Sequence, residues 1–104
     1  MNIQFNTDSN ISGNEKLAAY ISSTIDDELK IYRDQITRIE VHLSDETGDN
    51  NGQNNKRCML EARLENIDPI AVTSHSNSIE ESLSAALDKL KSSIKTILGR
   101  LNNH

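Results

Sequence analysis

The sequence predicts an α+β fold: a two-layer β-α-β-β-β-α sandwich with a four-stranded sheet and both helices on one face. Two observations predict it. The stretch Lys56–Glu65 alternates, with Cys58, Leu60, Ala62 and Leu64 on one side of an extended strand and Arg57, Met59, Glu61, Arg63 and Glu65 on the other, because successive strand side chains point to opposite faces. A strand with one apolar face must bury it. Two longer segments carry apolar residues at helical steps, so each has a single stripe to lay over that face.

Taken in order, Asn2–Thr7 alternates around Ile3 and Phe5 and predicts a short first strand. Asp8-Ser9-Asn10 and Ser12-Gly13-Asn14 are turn formers. Ser12 with Glu15 has the spacing of a capping box, and Leu17, Ile21, Ile25, Leu29 and Tyr32 then recur at steps of four, four, four and three. That spacing predicts a helix at about Asn14–Tyr32. A second strand, Thr37–Ser44, turns Ile39, Val41 and Leu43 inward and Arg38, Glu40, His42 and Ser44 outward. Residues 45–55 are Gly-, Asn- and Asp-rich with no apolar anchor, and read as a long mobile hairpin loop. Its acidic residues do not meet the EF-hand pattern. Asn66-Ile67-Asp68-Pro69 turns into a fourth strand at Ile70–Ser74, with Pro69 where a missing amide costs least. Ser78 and Glu81 form a second capping box. Ile79, Leu83, Ala86, Leu87, Leu90, Ile94, Ile97, Leu98 and Leu101 follow as one stripe, giving a helix at about Ser78–Leu98 with Gly99 placed to end it. The first strand–helix–strand unit is expected to be right-handed, with strands one and two parallel and the other pairs antiparallel.

A chain of 104 residues has room for one two-layer core, so residues 1–104 are expected to form a single domain. No apolar run approaches the roughly 18 residues of a membrane span, and the start of the chain has no basic region ahead of an apolar one. No membrane association is expected. Cys58, alone on an apolar strand face, reads as a small buried hydrophobe in a reduced, cytoplasmic protein. The net charge of −5 argues against a generic nucleic-acid binder, and no DNA partner is expected. The charge is uneven, however: residues 1–55 carry 4 basic and 10 acidic side chains, and residues 56–104 carry 7 and 6. An anionic partner would meet the second half.

No P-loop, dinucleotide-binding glycine pattern, Cys pair or His–Glu–His spacing occurs, so no cofactor or metal is expected. His42, His75 and His104 are scattered. Ser74, His75 and Ser76 lack the strained turn, orienting acid and oxyanion hole of a nucleophile, and helix capping accounts for the serines better. The chain is expected not to be an enzyme. On the last helix Lys91 and Lys95 are four apart, Arg100 follows five later and Lys89 lies beside them. They form a candidate phosphate-facing edge or, equally, cations that complement the helix dipole. The outward strand charges are expected to pair with one another.

Ile3-Gln4-Phe5, Thr37-Arg38-Ile39-Glu40-Val41-His42-Leu43-Ser44 and Leu83…Ala86-Leu87-Asp88-Lys89-Leu90 resemble the short ribosome hibernation-promoting factors and ribosome-associated inhibitor A proteins, the sigma-factor modulation protein family. The resemblance covers essentially the whole chain, as a divergent acidic branch. It implies a fold similar to double-stranded RNA-binding domains and a stress-response partner, the small ribosomal subunit, held through rRNA phosphates so that translation is restrained. Recognition of that kind uses shape and backbone. Lys89 matches the family's Asp-Lys-Leu element, Lys91, Lys95 and Arg100 are neighbouring candidates, and Arg57 and Arg63 complete the expected rRNA-binding set. The family's Asp-Met-Tyr at the start of the last helix is Ser78-Ile79-Glu80 here, and its basic tail is replaced by Asn102-Asn103-His104. A monomer or weak dimer is expected. The alternative is a protein-interaction module of the same fold that has lost ribosome binding and works through the open sheet face or the 45–55 loop.

Overall fold

The computed structural model describes residues 1–7, 15–46 and 55–102. Its elements are β1 (Asn2–Thr7), α1 (Glu15–Glu28), a 3₁₀ turn (Lys30–Tyr32), β2 (Ile36–Asp45), β3 (Lys56–Leu64), β4 (Ile70–Ser76) and α2 (Ile79–Asn102). The sheet order is β1-β2-β3-β4, with β1 parallel to β2 and the other pairs antiparallel. This is the predicted α+β fold.

The core forms where the inward faces of the strands meet the helix stripes. Ile39 and Val41 of β2, Cys58, Leu60 and Ala62 of β3, Ile21 and Ile25 of α1, and Leu83, Ala86, Leu87, Leu90 and Ile94 of α2 are almost wholly buried. Each large aliphatic among them contributes roughly 1.5–3 kcal/mol of transfer free energy. Cys58 belongs to this layer, and burial pushes its thiol up from 9.0 to about 12, against a smaller lowering by the Arg57 charge.

Several boundaries move, each for a local reason. The first helix does not run unbroken to Tyr32. Leu29, at φ −107° and ψ 12°, leaves helical geometry, and the chain tightens into the 3₁₀ turn before β2. At the start of β2 the register shifts between Ile36 and Arg38. One extra residue reverses the alternation, so Ile36 and Ile39 both turn into the core, and the Thr37 hydroxyl donates to the Arg63 carbonyl at 2.9 Å. β4 runs two residues past Ser74, because Ser76 still pairs with Lys56. Asn66 takes the left-handed conformation, φ 63°, in the turn after β3, which asparagine tolerates better than most residues.

At the start of α2 the Glu81 amide donates to the Ser78 hydroxyl at 3.1 Å, so the serine half of the predicted capping box forms, without the reciprocal bond to the Glu81 carboxylate. Its end departs from expectation: α2 passes through Gly99 and continues to Asn102. Leu98 still packs against the core, and Leu98 and Leu101 line a groove with Leu64 and Ile67, so the apolar stripe carries the helix beyond the glycine. The Ser12–Glu15 capping box and most of the predicted 45–55 loop lie outside the described residues. No described helix is long and apolar enough to cross a membrane.

Candidate nucleic-acid interface

The expected cations divide between two layers. Arg57 and Arg63 alternate with the buried Cys58, Leu60, Ala62 and Leu64 on β3, so they project from the open face of the sheet. Lys89, Lys91, Lys95 and Arg100 belong to α2, which packs on the opposite face. The structure does not bring the two groups onto one surface.

The open face neutralises itself. In register, Arg38 lies opposite Arg63 and Glu40 opposite Glu61. Two like-charged pairs would be destabilising, but the side chains resolve the conflict by bonding along and across the strands. Arg38 reaches Glu40 at 3.0 Å, and Arg63 lies 3.1 Å from Glu61 and 3.8 Å from Glu40. His42 Nε2 stands 3.7 Å from the same Glu40. At the far end Arg57 and His75 both approach Glu46, at 3.7 and 3.5 Å. The expected cross-strand pairing is therefore present, with Glu40 as its hub. Arg57 and Arg63 both reach any partner with a carboxylate already attached.

On α2 the geometry follows from about 100° of rotation per residue. Measured from the buried line through Leu83, Leu90 and Ile94, Lys89 and Arg100 fall on one flank and Lys91 and Lys95 on the other. The first flank faces the β4 edge, where the Lys89 ammonium donates to the Thr73 carbonyl at 2.7 Å. The second faces α1, where Lys91 meets Glu28 at 3.3 Å and lies 4.0 Å from Asp88. Lys95 and Arg100 are exposed, and their side chains make no hydrogen bond or ion pair with another described residue. Lys16, on the solvent side of α1, is likewise uncommitted among the described residues. Lys16 is the only basic residue of α1, so no basic pattern in the sequence marks it. The Lys91–Glu28 pair spans 63 residues, beyond any local pattern. No cluster of three or more metal-ligating side chains occurs among the described residues.

The molecule is thus a small two-layer domain that presents two uncommitted cations, Lys95 and Arg100, on its last helix and a charge-paired sheet on the opposite face. The model of one family, the sigma 54 modulation protein / S30EA ribosomal protein family, matches residues 3–102, and the chain belongs to that family. The fold is similar to that of the Thermus thermophilus Protein Y N-terminal domain, with TM-score 0.72 at 20% identity over 93% of this chain and 99% of that one. It is also similar to a ribosomal subunit interface protein from Coxiella burnetii, with TM-score 0.72 at 17% identity over 95% of this chain and 99% of that one. No curated protein matches the sequence.

Proposed function

We propose that this chain is a ribosome-associated, cytoplasmic protein that binds the small ribosomal subunit through rRNA phosphates and restrains translation, without catalysis. The observation that carries this reading is the family match over residues 3–102, and the likeness to a ribosomal subunit interface protein agrees with it. α2 supplies the contacts. Lys95 and Arg100 are uncommitted, and Lys91 can trade its 3.3 Å contact with Glu28 for a phosphate. Lys89 spends one donor on Thr73 and keeps two of its three ammonium hydrogens for an anion. Arg57 and Arg63 make secondary contacts on the other layer, weakened by Glu46, Glu40 and Glu61 beside them. With so few free cations, few counterions are released, and the binding is correspondingly modest and moderately salt-sensitive.

The paired state of Arg57 and Arg63 favours one second reading: a protein-interaction module that docks through its neutralised open face. Cosedimentation with purified small subunits at two salt concentrations separates the two, using the wild type and the double variant Lys95→Glu/Arg100→Glu. Salt-sensitive binding that the double variant loses is the expected result. A chain that stays in the supernatant even at low salt overturns the ribosome reading and makes a protein partner the one to seek.

A further inference from the structure

The two edges of the sheet are built differently. β4 is guarded: Pro69 precedes its first residue, and the Lys89 ammonium takes up the Thr73 carbonyl at 2.7 Å. A proline and a lysine at a strand edge are two of the devices by which proteins discourage further strand pairing. β1, the opposite edge, has neither. From Met1 to Thr7 there is no charged side chain, no proline and no bulge. Among the described residues its only strand partner is β2, so its outer row of backbone amides and carbonyls is left without a ladder.

The strand is also complementary to itself. Asn2, Gln4 and Asn6 are exposed on the open face, while Ile3 and Phe5 are half-buried toward the helices. When two such strands run antiparallel about Gln4, Asn2 faces the partner's Asn6, Ile3 faces the partner's Phe5 and Gln4 faces its own copy. Amide meets amide on one face and apolar meets apolar on the other, as an isologous two-fold contact requires. On the helix side, Phe5, Leu17, Ala18, Ile21 and Leu43, together with Thr7 and Glu15, line a largely apolar groove of about 280 Å³. The partner's Ile3, opposite Phe5, comes to its mouth.

We infer that β1 is a docking edge for a second copy of this chain, pairing antiparallel about Gln4 to join two four-stranded sheets into one continuous sheet. The inference is independent of the ribosome reading and differs from it in salt response. Each copy carries a net charge of −5, so screening the mutual repulsion strengthens this association. Phosphate binding weakens with salt.

Sedimentation velocity over a range of concentrations, with three variants, tests it. Gln4 is exposed, so Gln4→Lys and Gln4→Glu keep the fold, which circular dichroism checks. The wild type is expected to move toward a dimer with rising concentration, more readily at higher salt. Either Gln4 variant alone sets like charges opposite across the axis and weakens association several-fold. An equimolar mixture of the two recovers it, because Lys then faces Glu. Ala71→Lys, on the exposed side of β4, leaves association unchanged. A wild type that stays monomeric at millimolar concentration overturns the inference. So does a dimer that the single Gln4 variants form as readily as the wild type.

Discussion

The resemblance gives Lys89 one role and the structure gives it another. Its place in Asp88-Lys89-Leu90 marks it as a phosphate ligand by resemblance, yet its ammonium also caps the Thr73 carbonyl at 2.7 Å. A typical intramolecular hydrogen bond is worth about 0.5–1.5 kcal/mol net, and solvent exposure puts this one at the lower end. Lys89→Met is therefore expected to lower unfolding free energy by about that amount, whereas Lys95→Met leaves it unchanged, as urea denaturation will show. Loss of stability in both variants would mean that the contact is not what distinguishes them. Cys58 yields a prediction with a definite pH window. Burial raises its thiol from 9.0 to about 12, so the folded state holds the proton more tightly than the unfolded state does. Its contribution is complete below pH 9.0 and is lost as pH rises toward about 12. Comparing wild type and Cys58→Ala by urea midpoint from pH 8 to pH 10.5 should show the wild type losing stability more steeply. The burial of Cys58 was legible from strand alternation. The bond from Lys89 to Thr73 was not, because it depends on where helix and strand edge meet in space.

At the scale of elements, alternation and helical stripes located all four strands and both helices, and the misses concern where elements stop. Gly99 resembled a helix terminator because glycine commonly supplies the left-handed residue there. In the structure it is an exposed helical position, and a Cβ added to it meets nothing within 4 Å. Gly99→Ala then removes only the entropy that glycine loses on entering a helix. The variant is expected to be more stable by about 0.5–1 kcal/mol, visible as a higher midpoint in thermal or urea unfolding. A drop in stability would place the helix end at Gly99 after all. Ser78 is the opposite case, since the serine half of its capping box is present and its hydroxyl holds the Glu81 amide. Ser78→Ala should cost about 1 kcal/mol. The bulge between Ile36 and Arg38 escaped notice because strand periodicity assumes an unbroken alternation. The register shift that turns both Ile36 and Ile39 inward breaks that assumption.

For the whole molecule, the decisive fact is that the two groups of cations occupy opposite layers. Sequence could place Arg57 and Arg63 on the outer face of β3 and the lysines on the last helix, but it could not say which carboxylates each would meet. Glu40 and Glu46 approach Arg63 and Arg57 from across the sheet and from the end of β2, whereas no carboxylate among the described residues pairs with Lys95 or Arg100. A phosphate that binds Arg63 must compete with Glu61 at 3.1 Å, while one that binds Lys95 displaces only water and counterions. The difference should appear in salt dependence. Each phosphate contact contributes a slope of about 0.7–0.9 in the logarithm of affinity against the logarithm of salt concentration. Lys95→Gln/Arg100→Gln is expected to lower the slope for small-subunit binding by close to two contacts. Arg57→Gln/Arg63→Gln should lower it by less than one, because those charges are already offset within the folded chain. Equal losses from the two double variants would show that the open-face carboxylates swing aside when rRNA arrives. The domain would then be gripped from both layers at once.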